Sequence, residues 1–443
     1  MRAEIRTSKL VFALVCSLFL KSHPRIGILA RNRANRGGLI EAIERRIEET
    51  GYFDIKPVDC GGLEFYGAPY REEKECVFGP GREAKTTREY AQVNHAGDII
   101  VHPTYIFPGE SGWEGSPWLM RVLDNKFPLV DRIDFFSGLV YDASRRHEGL
   151  VEMMEAKGKD FVIVLNPHHI VPAHSIDFVK LAILEKTFAE RELEDPDVKY
   201  VCIGSNNAGL PQKKFLEQDV AQSLDILLKH INGDDSVSPE VQESVQTLMR
   251  YSKGYYKSDG AQSGTSQLHL HGRVISFPLL PPWIKEGYER TEENARQNGA
   301  NTFLDYCLSH GLLIDKGKYF SMVADPVPEF NGGLLIIANE RHNITKMDDG
   351  ELRELAEMRK AGRVMHEILF SGIPSNDYMI QTFGSMTSEY PNTRFSLALV
   401  PRGNVQAFVE LGTKIVGLTT DPRSMAEAMI HLKEKYPKYL RAA

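Results

Sequence analysis

The chain has 443 residues, 42% of them apolar, 26% charged and 9% aromatic, which is ordinary globular composition and length enough for two or three domains. A disordered tail protein, a collagen-like chain and a disulfide-stapled mini-protein are excluded. The formal charge of -7, from 53 Lys and Arg against 60 Asp and Glu, argues against a broad footprint for nucleic acid, so an anionic ligand must meet a focused site.

In chain order, residues 10–20 (LVFALVCSLFL) form an apolar run behind Arg2, Arg6 and Lys9. Two readings stand: a buried strand or helix, and a targeting signal, although KSHPRIG after it offers no clear small-residue cleavage site. The run is short for a membrane span, and no other run approaches that length. Residues 25–30 (RIGILA) read as a strand and 39–50 as an amphipathic helix, joined by a turn with Arg31, Arg33 and Arg36. To about residue 118 the chain reads as loops rich in Gly, Pro and aromatics.

Residues 161–167 (FVIVLNP) read as a buried strand, 175–195 as a helix and KYVCIG as the next strand. A polar stretch follows, with a helix over 238–251 started by Ser238, Pro239 and Glu240. Residues 284–311 read as helical. The last part gives strands over 318–325 and 333–339, a long helix over 347–370, and strands over 377–383 and 394–401. In both halves an apolar strand runs into histidine (NPHH, ANERH), a helix follows and paired strands close the unit. The fold class expected is α+β, two related half-units in a largely antiparallel sheet flanked by helices. Residues 1–70 read as an N-terminal extension, 71–283 as the half carrying the chemistry and 284–443 as a degenerate second half. The five cysteines are scattered without a C-x-x-C pair, which suits a reducing, cytoplasmic setting.

The chemistry concentrates in residues 257–283 (KSDGAQSGTSQLHLHGRVISFPLLPPW). Gly264, Thr265 and Ser266 form a small-residue loop whose N–H groups can approach an anion. On the strand that follows, His269, His271 and Arg273 point to one face, with neighbours two apart separated by roughly 7 Å. A neutral imidazole there can attack phosphorus while its neighbours orient or neutralise phosphates.

SGTSQLHLHGR resembles the signature of the histidine-triad superfamily, in the branch of galactose-1-phosphate uridylyltransferase, ADP-glucose phosphorylase and diadenosine tetraphosphate phosphorylase. CVFGPGRE (76–83), WLMRVLDNKFPLV (118–130), DPDVKYV (195–201) and FVELGT (408–413) with DPRSMAEAM resemble further segments of that branch, in the family's order. The resemblance implies a covalent nucleotidyl-histidine on His271, phosphates held at Gly264, Thr265 and Ser266, base and ribose contacts from Asn125 and Phe127, and sugar contact from Glu410. It also implies a nucleotide sugar and a sugar phosphate as ligands, galactose-type carbohydrate metabolism and a homodimer, with no nucleic-acid or membrane partner.

The departures are specific. The family's glutamine two residues after the nucleophile is Arg273, a permanent cation that only donates. Gly79 stands for the second cysteine of the family's zinc site, leaving Cys76, His269 and His169, with His230 as a fallback, as an incomplete ligand set. Asn207 and Ser258 are alternative matches for the family's asparagine before the loop. In the second half, Ser396 and Ala398 stand where the uridylyltransferases carry paired metal-binding histidines, with Arg394 and Arg402 available for anions. Arg121 joins Arg273 and the loop amides as a candidate phosphate group. The function expected is nucleotidyl transfer between a nucleoside diphosphate sugar and a sugar 1-phosphate. The alternatives are a phosphorylase or hydrolase of nucleotide sugars or dinucleoside polyphosphates, and a non-catalytic nucleotide-binding protein.

Overall fold

Short β-branched runs pair edge to edge and amphipathic helices cover one side of them. The computed structural model describes residues 26–29, 36–54, 78, 86–94, 96–106, 118–126, 137–140, 152–155, 158–165, 173–206, 271–277, 280–299, 302–326, 328, 332–340, 343–369, 375–380, 389–401, 415–418 and 420–441. The elements begin with β1 (Ile26–Leu29), α1 (Arg36–Thr50), β2 (Glu89–Asn94), β3 (Ile99–Ile106), β4 (Trp118–Asp124), β5 (Ser137–Val140), β6 (Glu152–Glu155) and β7 (Asp160–Val164). Then come α2 (Phe178–Leu193), β8 (Tyr200–Asn206), β9 (His271–Phe277), α3 (Pro282–Asn298), α4 (Thr302–Ser309), β10 (Leu313–Lys316), β11 (Phe320–Ala324) and β12 (Leu334–Ala338). The chain closes with α5 (Asp349–Leu369), β13 (Ser375–Ile380), β14 (Ser396–Pro401), β15 (Ile415–Leu418), α6 (Pro422–Lys435) and α7 (Pro437–Leu440).

Eleven strands form one sheet in the order β10-β11-β12-β14-β13-β8-β9-β7-β4-β2-β3. Every pairing within it is antiparallel, with β8 and β13 meeting where the strands of the two halves adjoin. The expected α+β fold is therefore what the chain adopts. Residues 26–54 are tied to the C-terminal part: β1 pairs in parallel with β15, and α1 packs on α5 and α6.

The loop reading to about residue 118 fails over residues 89–106, which hold two strands, β2 and β3. β2 is buried along nearly its whole length, so it shows none of the alternation that betrays a half-exposed strand. Residues 284–311, read as helical, carry helices α3 and α4, divided where Gly299 ends α3 at φ +86°, a backbone conformation in which only glycine sits without strain.

Helices α2 and α5 lie together over one face of the sheet. Phe178, Leu181 and Phe188 of α2 and Leu355 and Val364 of α5 join Phe161, Ile163, Val274, Ile336 and Leu399 in a continuous core. Asp177 caps α2 by accepting from the Lys180 amide at 3.0 Å. Across the helix pair Arg359 donates to both Glu185 oxygens at 2.7 and 3.0 Å and to Ser205 Oγ at 3.3 Å, with no more than 1% of either charged side chain exposed. Such a pair contributes little over an apolar one, but losing one member strands a buried charge. On the opposite face, α4 covers the second half with Phe303 and Cys307 against Val323 and Ile337. Around β4 and β7 that face carries Trp118, Leu123, Val162 and Val164 with Phe78 beside them.

Candidate functional site

The site is built on the face turned away from α2 and α5. His271 opens β9, between Val164 of β7 and Asn206 of β8 in register. Val274 and Ser276 turn to the helix side, so His271 and Arg273 share the other face. His271 is 8% exposed as a residue, and its ring centre lies 6.4 Å from that of Phe78. A glycine separates the two candidate residues. A Cβ on Gly272 would stand 3.2 Å from the Gly204 carbonyl oxygen, so the strand passes β8 closely here.

Arg273 does not stand alone. Its Nε donates to Asp160 Oδ1 at 3.1 Å, and its Nη2 forms a short contact with Asp160 Oδ2. Asp160 begins β7, and none of its side chain is exposed. The same carboxylate accepts from Asn125 Nδ2 at 3.1 Å, while the Asn125 amide donates to the Asp160 carbonyl at 2.9 Å. Two sequence-predicted residues, Arg273 and Asn125, are thus joined by a third that the sequence reading missed. The signal for Asp160 is a lone acid entering a fully apolar run, a residue type that is almost never buried unpaired. Cys202, on the same face of β8, is a thiol that burial pushes up to about 11, with Arg273 acting weakly in the other direction. It is a neutral wall of the site rather than a nucleophile.

The two other arginines considered for anions have local partners. Arg121 is 1% exposed, donates to Glu89 Oε2 at 2.6 Å and to Thr86 Oγ1 at 3.2 Å, and lies over the Trp118 ring. Arg394 donates to the Ala338 carbonyl at 3.2 Å and more closely to that of Asn339, and burial lowers its pKa. Both serve the architecture of the strands around them.

Ser396 of β14 registers with Ile337, as His271 registers with Val164. The equivalence carries Arg273 onto Ala398, and Asp160 onto Gly333 by equal spacing from Val164 and Ile337. The ion pair therefore belongs to the first half only.

His269, Phe127, Gly264, Thr265, Ser266, Asn207, Glu410, Cys76 and His169 lie outside the described residues, as do Arg402, His230, Ser258, residues 10–20 and the helix expected over 238–251. Among the described residues no group of three or more His, Cys, Asp or Glu stands together as a metal site, and no helix is long and apolar enough to cross a membrane.

Comparison with known proteins gives the fold a relationship. No family model matches the chain. The ADP-glucose phosphorylase of Arabidopsis thaliana is 23% identical over 183 residues, which are 39% of this chain and 50% of that protein, so the match spans half of the relative's length. Among solved structures, a GalT-like protein of Arabidopsis thaliana aligns at TM-score 0.55 and 18% identity, covering 80% of this chain and 91% of that one. The crystal structure of an ADP-glucose phosphorylase from the same plant with bound ADP-glucose aligns at TM-score 0.54 and 18% identity over 80% and 88% of the two chains. A uridylyltransferase structure aligns at TM-score 0.51 and 15% identity over 78% and 99%. The fold is that of these GalT-like, ADP-glucose phosphorylase and uridylyltransferase structures.

Proposed function

We propose that this chain is a nucleotidyltransferase that moves a nucleoside monophosphate from a nucleoside diphosphate sugar to a sugar 1-phosphate through a covalent adduct on His271. The observation that carries the reading is the placement of His271 on one sheet face with Arg273, Asp160 and Asn125 beside it. In the first step the imidazole attacks the nucleotide's α-phosphorus. The nitrogen–phosphorus bond forms as the bond to the bridging oxygen breaks, and sugar 1-phosphate leaves. In the second step a phosphate oxygen of the acceptor attacks the same phosphorus and the imidazole departs neutral, ready for another cycle. Arg273 stabilises charge on the phosphoryl oxygens as it builds up, and the amides of Gly264, Thr265 and Ser266 serve the remaining phosphate. Asn125 and Phe127 hold the nucleoside, and Glu410 meets the sugar. Cys76, His169 and His269 would supply one thiolate and two imidazoles, a donor set that suits zinc.

A second reading shares the adduct and differs in the acceptor. The sequence relative and one structural neighbour are named ADP-glucose phosphorylases, which favours orthophosphate in the second step. One experiment separates the two. The protein is incubated with UDP-glucose, ADP-glucose or GDP-mannose radiolabelled in the α-phosphate, and acid-labile, base-stable label is expected on the chain but not on His271→Ala. Release of that label by orthophosphate as nucleoside diphosphate selects the phosphorylase, and release only by hexose 1-phosphate selects the transferase. Wild-type protein that takes no label from any of the three sinks both.

A further inference from the structure

Arg273 and Asp160 are 113 residues apart in sequence, and their pairing is made by the β7–β9 ladder alone. His271 registers with Val164, Arg273 with Val162, and Asp160 with Ile275, so the carboxylate stands on the side of Arg273 remote from His271. It takes the Nε and Nη2 edge of the planar guanidinium. Nη1 is left on the opposite edge and has no hydrogen-bond partner among the described residues. With 27% of its side chain exposed, Arg273 is the solvent-facing member of the pair, and the fully buried carboxylate is held from below by Asn125.

An ion pair is not needed to close this part of the sheet. The equivalent strands of the second half do so with Ala398 and Gly333, and an apolar pair is generally as stable as a buried ionic one. The chemistry gives a reason for retaining it. A lone guanidinium beside a nucleotidyl-histidine would bind the two unbridged phosphoryl oxygens bidentately and hold them there. Tight binding of an intermediate slows its onward reaction, because only interactions stronger in the transition state accelerate a step.

We propose that Asp160 is a positioning residue of the transfer site: it turns one edge of Arg273 away and offsets its charge, so that the cation steadies the phosphoryl group without trapping the adduct. This rests on the nucleotidyl-transfer reading above. A purely structural Asp160 predicts that its replacement lowers substrate binding, turnover and stability together. A tempering Asp160 predicts that they separate.

The test compares wild type, Asp160→Asn, Arg273→Gln and the double variant, with melting temperature measured for each. In Asp160→Asn the labelled adduct is expected to persist when chased with orthophosphate or glucose 1-phosphate, kcat to fall about tenfold or more, and KM for the nucleotide sugar to stay level or fall. The double variant, which lacks the cation, is expected to form the adduct more slowly than wild type but to discharge it faster than Asp160→Asn does. Unchanged kcat in Asp160→Asn, or a kcat loss with raised KM and less adduct, overturns the proposal. If Asp160→Asn does not fold, the double variant is judged against Arg273→Gln: equal discharge of the adduct by the two supports the proposal, and slower discharge by the double variant overturns it. Calorimetric binding of ADP and UDP separates this proposal from the functional reading. Tighter nucleoside diphosphate binding by Asp160→Asn, lost in the double variant, supports the role of Asp160 even where wild type forms no adduct. Equal or weaker binding by a folded Asp160→Asn overturns it.

Discussion

Two stretches of the sheet share one topology, β7–α2–β8–β9 in the first half and β12–α5–β13–β14 in the second, and their registers superpose strand for strand. They differ in what the face away from α2 and α5 carries. The first presents His271, Arg273, Asp160 and Asn125; the second presents Ser396 and Ala398, while nearby strands are covered by α4. The strands and helices that make the frame are the same, so the frame alone does not confer chemistry. Gly333 and Ala398, neutral and small, stand where the first half places Asp160 and Arg273, so at these two positions the charge belongs to the half that also carries His271.

The largest expected effect tests this asymmetry directly. Within the functional reading, His271→Ala removes the nucleophile and should cost more than about 10³-fold in turnover. Ser396→Ala, at the equivalent place, should change it less than about twofold. Comparable losses from both would mean that the second half takes part in the reaction.

A second prediction concerns what joins the halves. Glu185 lies on α2 and Arg359 on α5, so their fully buried ion pair links the helix of one unit to that of the other. Arg359→Met leaves Glu185 charged and unpaired, and should destabilise the protein by about 3–5 kcal/mol. Adding Glu185→Leu should restore most of that. Thermal melting of the three proteins checks it; a single variant as stable as wild type would show that the halves do not depend on this link.

The frame was legible in the sequence because its strands and helices carry their own periodicity. β11, β12, α5 and β14 fall within the stretches that their apolar patterns mark. β2 and β4 did not, since strands covered on both faces lose alternation and the surrounding Gly and Pro invite a loop reading. The site was legible only where its residues lie together, as His271 and Arg273 do. Asp160 escaped because its meaning comes from a neighbour on another strand. A cation read as a free phosphate ligand proved to be half of a pair, which no local pattern could have said.

The smallest effect contrasts the two faces through their histidines. His271 opens a strand on the site face; His174 sits on the covered side, its ring 5.1 Å from Tyr52, 5.8 Å from Phe53 and 6.2 Å from Tyr439. Burial, with a smaller contribution from the Lys360 cation, pulls the His174 pKa down to about 3 from the ordinary value near 6.5. Above about pH 6.5 the ring is neutral in folded and unfolded chains alike, and the shift contributes nothing to pH dependence. Between there and about pH 3 the unfolded chain binds a proton that the folded one refuses, so stability falls as pH falls. The loss reaches at most about 2 kcal/mol by about pH 5, because the ring keeps some contact with water. His174→Phe, which keeps an aromatic ring in the cluster but cannot take the proton, should flatten this slope in melting curves recorded across the range, and a slope unchanged by the substitution would mean that the ring protonates without cost and that this side of the sheet is wetter than its packing implies.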